Sequence, residues 1–522
     1  MKKFQDDVFL SSRLLVVTLA GALSYFAYPR PNLWPLIFVS AAGFFIAIRG
    51  TTLPKAYLLG FVGGFAFFAS QCWWLSQYLG PVPLVALSIS QALFVGLGAV
   101  VFELLRRQVS SLWAQALLFA ITWTAREWLT THFPYGGYPW SRLAMSQGYS
   151  PLGNWVYFGG LSLLSFVLAL VSAYLVLLLP RLTRPETRQR AITYLAILLV
   201  AVFAIPSTVH QVSSNDKFKI AAIQGNANAG LFAKTYPGEI LKNHTDVTDQ
   251  MVRDGANQGV QLVLWPENAS DLNPMYNTDA AAVMSDLVNK KLKTPVAFGT
   301  ITATQTDVFN SSLLWKPGEG IVDQYDKKRP IPFAEYVPDR DFWNSLAPDL
   351  IGLIYRGFAF GTRDNYFEVD SHRFGVLICF EIAVDEVAQE IVDSGAVAIL
   401  SQSNNADFGH SDEAFQQLAL ARLRNIETGI PVINASTVGP SAIFDAGQTL
   451  EVSGAFEPAY LVADVGLKKS DTPAMGIGRY FDFFNLVLLG FVSLGLAARA
   501  IWKVDARTLL ELAKRRLKRM SA

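Results

Sequence analysis

Apolar residues are grouped into long blocks over the first part of the chain, and short polar loops separate the blocks. Several blocks reach the roughly 20 residues that an α-helix needs to cross the hydrocarbon core of a bilayer. An eighth block, 485–502, is followed by a basic tail. The pattern predicts a membrane domain of seven transmembrane helices at 1–207 and an eighth helix within 481–522. The seven blocks cover about 12–28, 33–49, 55–77, 82–105, 112–129, 157–180 and 191–207.

The stretch at 208–480 has ordinary polar content and a different periodicity. Short, nearly continuous apolar runs alternate there with helical patterns, which is typical of buried strands in a layered α/β domain. One β-hairpin is expected around Pro317 and Gly318, and the last hairpin of the domain at 441–453. The other predicted strands lie at 218–226, 260–268, 294–301, 374–382, 396–406 and 431–437, and predicted helices at 384–394 and about 412–428.

The composition agrees with a membrane protein. Of the 522 residues, 52% are hydrophobic and 16% are charged, whereas soluble domains are about 25% charged; the mean hydropathy is +0.30. A formal net charge of +1 gives no basic field that would attract nucleic acid. The two cysteines and five scattered histidines offer no recognisable metal-ligand spacing, and the sequence has no phosphate-binding or dinucleotide-binding motif, so no cofactor is expected.

Basic residues fall in alternate loops between the apolar blocks, and the positive-inside rule assigns such loops to the cytoplasm. Seven spans from a cytoplasmic N-terminus then place the α/β domain outside. The first block lacks a good cleavage site and is expected to be an uncleaved helix. We interpret the tail as an anchor facing anionic lipid rather than a nucleic-acid-binding arm. The loop residues are Lys2, Lys3, Arg13, Arg49, Lys55, Arg106, Arg107, Arg181, Arg184, Arg188 and Arg190.

Three residues with useful chemistry follow predicted strands. Glu267 follows "LVLWP", Lys327 follows "IVDQYD" and Cys379 follows "FGVLI". Each also has an ordinary interpretation: a helix N-cap acid, a solvated lysine in a basic run, and a buried thiol like Cys72. Working groups collect at strand ends in α/β sheets. If the three side chains meet, the carboxylate can deprotonate the thiol so that the thiolate attacks a carbonyl group. The lysine and the N–H of Phe380 can then stabilise the oxyanion that forms.

Four segments in this order resemble motifs of the apolipoprotein N-acyltransferase family, the membrane-bound branch of the nitrilase (carbon–nitrogen hydrolase) superfamily. "LVLWPENA" is similar to the family's W-P-E, "YDKKRPIPFAEYVP" to Y-x-K-x-x-L-V-P-F-G-E-Y-x-P, and "ICFEI" to I-C-Y-E. "FPYGGYPWSRLAMSQ" (133–147) resembles the aromatic segment that the family carries outside, between its fifth and sixth spans. The resemblance covers essentially the whole chain and implies an αββα sandwich for the extracytoplasmic domain.

The resemblance also implies a reaction and its residues. A cysteine thioester takes an acyl chain from a membrane phospholipid and passes it to the α-amine of the diacylglyceryl-cysteine that begins a lipoprotein. No metal or diffusible cofactor takes part. The implied location is the bacterial cytoplasmic (inner) membrane, with the catalytic domain on the periplasmic side. The implied catalytic residues are Glu267, Lys327 (in preference to Lys328) and Cys379, and the supporting residues are Glu335, Phe380 and Glu381.

The chain departs from the family at several positions around the implied pocket. The family's N-D-A-W-F reads "NNADF" here, with Asp407 in place of tryptophan. Its H-Q-H reads "AFQ" at 414–416, its T-N-N-G reads "STVG" at 436–439, and Ala334 replaces a glycine. The catalytic residues are intact, so these differences concern the preferred acyl donor or acceptor.

Two other functions stay open at this level. The chain is also compatible with a membrane-tethered amidase whose thioester is cleaved by water, because transfer and hydrolysis differ in how well the site excludes water. It is compatible as well with a non-catalytic scaffold for a polyprenol-phosphate mannose synthase, since relatives in some bacteria accompany that glycosyltransferase.

Two further features allow alternative interpretations. The segment 341–360 is unusually apolar, and it either packs on the domain core or forms a lid over Cys379 at the membrane interface. Arg126 and Glu127 end the fifth block and act either as an interfacial anchor or as part of the substrate pocket. Glu103 is interpreted as one half of a helix-end charge pair.

Overall fold

The computed structural model describes residues 2–230, 235–495 and 498. The prediction of a helical region before the α/β domain is confirmed. Proline at the first turn opens α5 and α8, where its missing N–H leaves no helical hydrogen bond unmade. The helices are α1 (Lys2–Ala27), α2 (Leu36–Ile48), α3 (Leu53–Gln71), α4 (Leu75–Leu79), α5 (Pro81–Arg106), α6 (Leu112–His132), α7 (Val156–Leu182) and α8 (Pro185–Ser207).

Within the described residues, five helical stretches are long and apolar enough to cross a membrane. They are Phe9–Ala27, Leu53–Gln71, Pro81–Arg106, Pro151–Leu182 and Pro185–Ser207, while Leu36–Ile48 is a shorter apolar helix. The predicted eighth span at 485–502 is only partly described: residues 481–495 are helical, and the basic tail lies outside the described residues.

Small residues let the membrane helices approach closely. A Cβ added to Gly60 of α3 would lie 2.7 Å from the Cβ of Ala99 in α5, and one added to Gly64 would lie 2.8 Å from the Cβ of Val95. Lipid provides no hydrophobic driving force for the association of helices, so close packing of this kind stabilises the helix pairs instead.

The charged residues near the end of α6 lie inside the protein, which decides against their interpretation as an interfacial anchor. Arg126 and Glu127 are buried, and Glu127 Oε1 accepts hydrogen bonds from Trp123 Nε1 (2.9 Å) and from the Leu143 N–H (3.1 Å). The interpretation as an interfacial anchor is therefore wrong, because these groups fix the loop after α6 from inside. The charge pair at Glu103 is confirmed, with Arg106 Nε 2.7 Å away.

Two six-stranded sheets form the α/β domain. The strands are β1 (Lys217–Gln224), β2 (Leu262–Leu264), β3 (Val296–Ala303), β4 (Val308–Lys316), β5 (Gly320–Asp326), β6 (Tyr366–Val369), β7 (His372–Ile378), β8 (Ala398–Ser403), β9 (Val432–Ser436), β10 (Ala442–Asp445), β11 (Gln448–Val452) and β12 (Ala459–Gly466). The strand orders of the two sheets are β12-β1-β2-β3-β4-β5 and β11-β10-β9-β8-β7-β6.

The sheets face each other across a shared core that includes Phe218, Leu264, Ile378 and Leu400. The helices of this domain are α9 (Glu239–Arg253), α10 (Thr278–Asp286), α11 (Arg340–Leu346), α12 (Pro348–Gly352), α13 (Asp385–Asp393) and α14 (Glu413–Thr428). Helices α9 and α10 cover the first sheet, and α13 and α14 lie between the second sheet and the membrane helices, which gives the αββα order.

The predicted strands and both hairpins are present, but two edge elements were not predicted. Strand β6 pairs antiparallel with β7, and β12 pairs along its whole length with β1. The hairpin at 441–453 is therefore not the last strand element, because β12 follows it and returns to the other sheet.

The apolar segment 341–360 lies on the surface. It forms α11 and α12, and five of its ten large apolar side chains are exposed, with Tyr355 at 92%. The interpretation that it packs on the domain core is wrong; Ile351 is its buried side chain. Trp343 instead donates a hydrogen bond from Nε1 to the hydroxyl of Tyr135, 3.2 Å away, in the loop after α6.

Candidate active site

Three of the predicted residues lie at the ends of strands that share the inter-sheet space. Glu267 follows β2, Lys327 follows β5 directly and Cys379 follows β7 directly. All three side chains are buried, and that of Lys327 is only 1% exposed. The solvated-surface interpretation of this lysine is therefore wrong, whereas Lys328 reaches outward to Glu390 at 2.8 Å.

Lys327 is held between two carboxylates. Its Nζ lies 2.8 Å from Glu335 Oε2 and 3.7 Å from Glu267 Oε1. Nζ has no well-aligned hydrogen bond, so the contact with Glu335 is chiefly an ion pair and leaves N–H groups for a substrate oxygen. Burial lowers the pKa of Lys327, but the charges of Glu335 and Glu267 outweigh burial and raise it well above its usual range. The lysine is a fixed cation.

Glu267 is held in place by two hydrogen bonds to its carboxylate. Its carboxylate accepts hydrogen bonds from Asn310 Nδ2 at 2.6 Å and from the Asn404 N–H at 2.7 Å. Its turn lies against Gly299 of β3, where an added Cβ would come within 2.6 Å of Glu267 Cα. Burial raises the pKa of Glu267, and the Lys327 charge opposes this without cancelling it. A raised pKa makes the carboxylate a better proton acceptor than an exposed one.

Cys379 stands at a sharp turn between β7 and a 3-10 turn, Cys379–Ala383. Its φ is +54°, a left-handed conformation that is uncommon for a residue other than glycine. Burial, and after it the charge of Glu267, raises the pKa of the thiol well above its usual range. The resting sulfur is therefore a thiol, and it needs a nearby base to become a nucleophile.

Glu381 ties this turn to the lysine strand. Its carboxylate accepts hydrogen bonds from the N–H groups of Ile378 (2.8 Å), Lys328 (2.8 Å) and Arg329 (3.1 Å), and from the hydroxyl of Tyr325 (2.9 Å). These donors come from the segments that carry Cys379 and Lys327, so one buried side chain sets the spacing of both.

Asn310 was not predicted. From β4, its amide nitrogen donates to Glu267 Oε1 (2.6 Å) and to Glu335 Oε1 (2.9 Å). Its backbone carbonyl accepts the N–H of Lys327 at 2.9 Å. The signal in the sequence is weak, because Asn310 is the first of three consecutive polar residues, Asn310–Ser312, and only the sheet register distinguishes it from the serines.

Glu413, at the start of α14, is a second residue that sequence reasoning missed. It is 3% exposed, and its Oε2 accepts a hydrogen bond from Asn405 Nδ2 at 2.6 Å. Burial raises the pKa of Glu413 to about 8, despite the opposing Asn405 hydrogen bond, and the charge of Glu267 raises it further. A third carboxyl group thus lies close enough to act electrostatically on the thiol of Cys379.

The membrane domain supplies one wall of the site. The ring of Phe380, the residue after the cysteine, stacks on Tyr138 and Trp140 at centroid distances of 6.2 and 6.3 Å. Trp140 Nε1 donates to Gln416 Oε1 of α14 at 2.7 Å. The aromatic segment 133–147 therefore lies beside the turn that carries Cys379.

An ionic bridge fixes the same interface. Asp385 accepts hydrogen bonds from Arg142 Nη1 of the aromatic segment and from Arg424 Nη2 of α14, both at 2.6 Å. Arg424 also donates from Nε to the carbonyl of Ile382 (2.9 Å) and from Nη2 to that of Ala383 (3.1 Å). The two guanidinium charges outweigh burial and hold the pKa of Asp385 far below its usual range.

Comparisons with known proteins cover both halves of the chain. The family model for the apolipoprotein N-acyltransferase N-terminal domain matches residues 20–174, and the carbon-nitrogen hydrolase model matches residues 219–471. An amidase of the nitrilase superfamily from Nesterenkonia, at 16% identity, covers 53% of this chain and 99% of its own, with a TM-score of 0.39.

Curated relatives match over nearly full length. The apolipoprotein N-acyltransferase of Mycolicibacterium smegmatis is 30% identical over 88% of this chain and 81% of its own. That of Geobacter metallireducens is 26% identical over 90% of this chain and 92% of its own. That of Pseudomonas putida is 29% identical over 88% of this chain and 92% of its own. With similarity that runs through the membrane helices and the α/β domain alike, the chain belongs to the apolipoprotein N-acyltransferase family and is a membrane-bound acyltransferase.

Proposed function

We propose that this chain transfers an acyl chain from a phospholipid to the N-terminal amine of a diacylglyceryl lipoprotein through a thioester on Cys379. The observation that supports the proposal most is the buried ammonium group of Lys327, which is paired with Glu335 and lies next to Glu267. Cys379 follows a strand of the facing sheet, beside the same inter-sheet space. A fixed cation in a dry site stabilises an oxyanion far better than a solvated one.

In the first step, Glu267 takes the proton of the Cys379 thiol and the sulfur attacks the ester carbonyl carbon of the donor. Lys327 and the N–H of Phe380 stabilise the oxyanion. The ester C–O bond breaks, Glu267 returns its proton to the leaving oxygen, and lysophospholipid departs. The acyl chain is then held as a thioester.

In the second step, the neutral α-amine of the lipoprotein attacks the thioester carbonyl. The C–S bond breaks and an amide bond forms. Glu267 receives the proton that the amine loses and passes it to the Cys379 thiolate, which restores the resting thiol. The raised pKa of Glu267 suits both transfers, because a proton donor and acceptor works best when its pKa is near the working pH.

The location follows from the substrates. Both carry lipid chains, so we place the catalytic domain, 208–480, at the periplasmic face of the bacterial cytoplasmic membrane, after seven spans in 1–207 and before an eighth within 481–522. The basic loops on alternate sides support this orientation. The exposed apolar helices α11 and α12 then form a lid at the bilayer surface, held near the aromatic segment by Trp343.

A reporter lipoprotein tests the proposal. Cells that depend on this chain should yield a triacylated N-terminal peptide by mass spectrometry, and Cys379→Ala should abolish the third chain. Glu267→Gln and Lys327→Met should lower thioester formation by at least 100-fold. Cys72→Ala is a matched control, because it removes the other buried cysteine and should preserve acylation.

The same material separates transfer from hydrolysis. With phospholipid alone, a transferase accumulates acyl-Cys379 until an amine is added, whereas an amidase releases free fatty acid. Retained triacylation in Cys379→Ala would refute the proposal. Association with a glycosyltransferase stays a prediction, which co-purification from a host membrane would test.

A further inference from the structure

A second polar cavity lies at the junction between the membrane helices and the α/β domain. Its volume is about 280 Å³, and its lining includes none of the proposed active-site residues. It opens where the chain leaves α8 and where α7 begins. The lining residues that matter here are Tyr149, Asn154, His210, Gln211, Arg422 and Gln448.

Arg422 carries a positive charge that the described protein does not neutralise. The half-buried guanidinium donates to two backbone carbonyls, from Nη1 to that of Gly148 at 2.6 Å and from Nη2 to that of Gly447 at 3.3 Å. It forms no ion pair with any residue within the described ranges. The neighbouring Arg424, by contrast, reaches Asp385 at 2.6 Å. An unpaired cation that is partly removed from water is costly unless an anion joins it.

The rest of the lining suits such an anion. None of the described lining residues is an aspartate or a glutamate, and the side chains around the guanidinium supply hydroxyl, amide and imidazole donors. Gln211 donates from Nε2 to the carbonyl of Ile426 at 2.7 Å. Its Oε1 is buried and has no hydrogen-bond partner within the described residues, which leaves an acceptor beside the cavity.

The surroundings connect the cavity to lipid. Asn154, in its wall, donates from Nδ2 to the carbonyl of Pro206 at the end of α8, 3.2 Å away. The final turns of α8 expose Val200, Phe203 and Ile205. An amphiphile whose polar end fills the cavity can therefore lay its acyl chains along α8.

We propose that this cavity binds a phosphate group, with a phospholipid headgroup as the main source, at a site separate from the acyl donor. Arg422 holds the phosphate and Gln211 accepts a hydrogen bond from the rest of the headgroup. Arg422 lies on α14, whose first turn carries Glu413, so an occupied site braces the helix that borders the active site.

The test uses the full chain with Cys379→Ala, so that no lipid is consumed. Native mass spectrometry in detergent counts bound phosphatidylglycerol for three variants. Gln448→Glu puts a carboxylate on the cavity rim without loss of a described hydrogen bond, Arg422→Gln removes the cation, and Gln258→Glu makes the same charge change at an exposed residue outside the cavity lining.

We expect Gln448→Glu and Arg422→Gln to bind one phosphatidylglycerol fewer per chain, or to bind it at least tenfold more weakly, while Gln258→Glu binds as the parent does. If inorganic phosphate displaces this lipid, the site takes free phosphate as well; if not, the site is specific for lipid. Equal binding by all three variants, or displacement of the same lipid by uncharged diacylglycerol, would overturn the proposal. Arg422 also donates hydrogen bonds to the backbone, and its replacement can prevent folding. If Arg422→Gln does not fold, the lipid binding of Gln448→Glu alone decides the test.

Discussion

The buried carboxyl group of Glu413 gives a prediction that runs against usual expectation: Glu413→Gln should stabilise the protein. The change is isosteric, and the new amide oxygen can still accept the hydrogen bond from Asn405 Nδ2. The variant loses only the ability to ionise. Because the site is buried, ionisation is what the folded state resists.

The magnitude follows from the pKa of about 8 in the folded protein against the ordinary value of 4.5. A folded pKa above the unfolded value means that stability is complete below pH 4.5 and is lost as the pH rises towards 8. In the unfolded chain Glu413 ionises freely above pH 4.5, and pH 7 lies 2.5 units above that value. Each of these pH units favours the unfolded state by about 1.4 kcal/mol. Glu413 therefore costs roughly 3 kcal/mol at pH 7 and almost nothing at pH 4.5.

The assay is the apparent melting temperature of the full chain in detergent, measured at pH 7 and pH 4.5. A cost of this size predicts a rise of roughly 5 to 10 °C for Glu413→Gln at pH 7 and little change at pH 4.5. The exposed residue Glu451 provides the control, since Glu451→Gln should change neither value. A Glu413→Gln variant that melts at or below the wild-type temperature at pH 7 would refute the reasoning.

The same variant also has a kinetic signature. Below about pH 8, Glu413 is largely protonated and its replacement should leave thioester formation almost unchanged. Above that pH, the ionised carboxylate raises the pKa of the Cys379 thiol. Thioester formation should then be faster in Glu413→Gln than in wild type at pH 9.

Three further substitutions test the site and its support. Asn310→Leu removes the amide that donates to two carboxylates, and should lower kcat/KM for thioester formation about 10- to 100-fold. Gly299→Ala places a Cβ 2.6 Å from Glu267 Cα, and should cost at least tenfold in the same rate with a native circular dichroism spectrum. Asp385→Asn removes the carboxylate that Arg142 and Arg424 share, while Arg424 keeps its ion pair with Glu427, and should cost about 1–3 kcal/mol, read as a lower melting temperature.

Controls make these outcomes specific. Asn289→Leu, on the exterior of the domain, should preserve the rate that Asn310→Leu loses. An unchanged rate for Asn310→Leu or for Gly299→Ala would show that the position of Glu267 does not depend on its neighbours. If Asp385→Asn melts like wild type, the bridge between the two domains contributes no stability.

The sequence predicts the site residues that follow apolar strands, and the structure brings Glu267 and Lys327 together. Glu267, Lys327 and Cys379 each follow an apolar run, and strand ends collect reactive groups in sheets of this type. Glu335 and Glu381 came only from the resemblance to a family. The hydrophobic pattern likewise fixed the central strands, since buried runs bounded by turns are its clearest signal.

The residues that were missed depend on tertiary contacts. Asn310 looks like a polar residue of an ordinary strand until the register sets it opposite Ile301, beside the turn of Glu267. Glu413 looks like an acid in the first turn of a helix, a position usually exposed. Strands β6 and β12 are edge strands of the two sheets, and β12 pairs with β1 from the far end of the domain, so neither is marked by a buried apolar run.

The stacking of Phe380 on Tyr138 and Trp140 means that Cys379 is adjacent in sequence to a side chain that packs against the membrane half of the protein. A catalytic half cut free of the helices would keep its two sheets yet lose the support that orients the sulfur. Harsh solubilisation should act in the same way: catalysis fails at a milder treatment than the one that unfolds the strands.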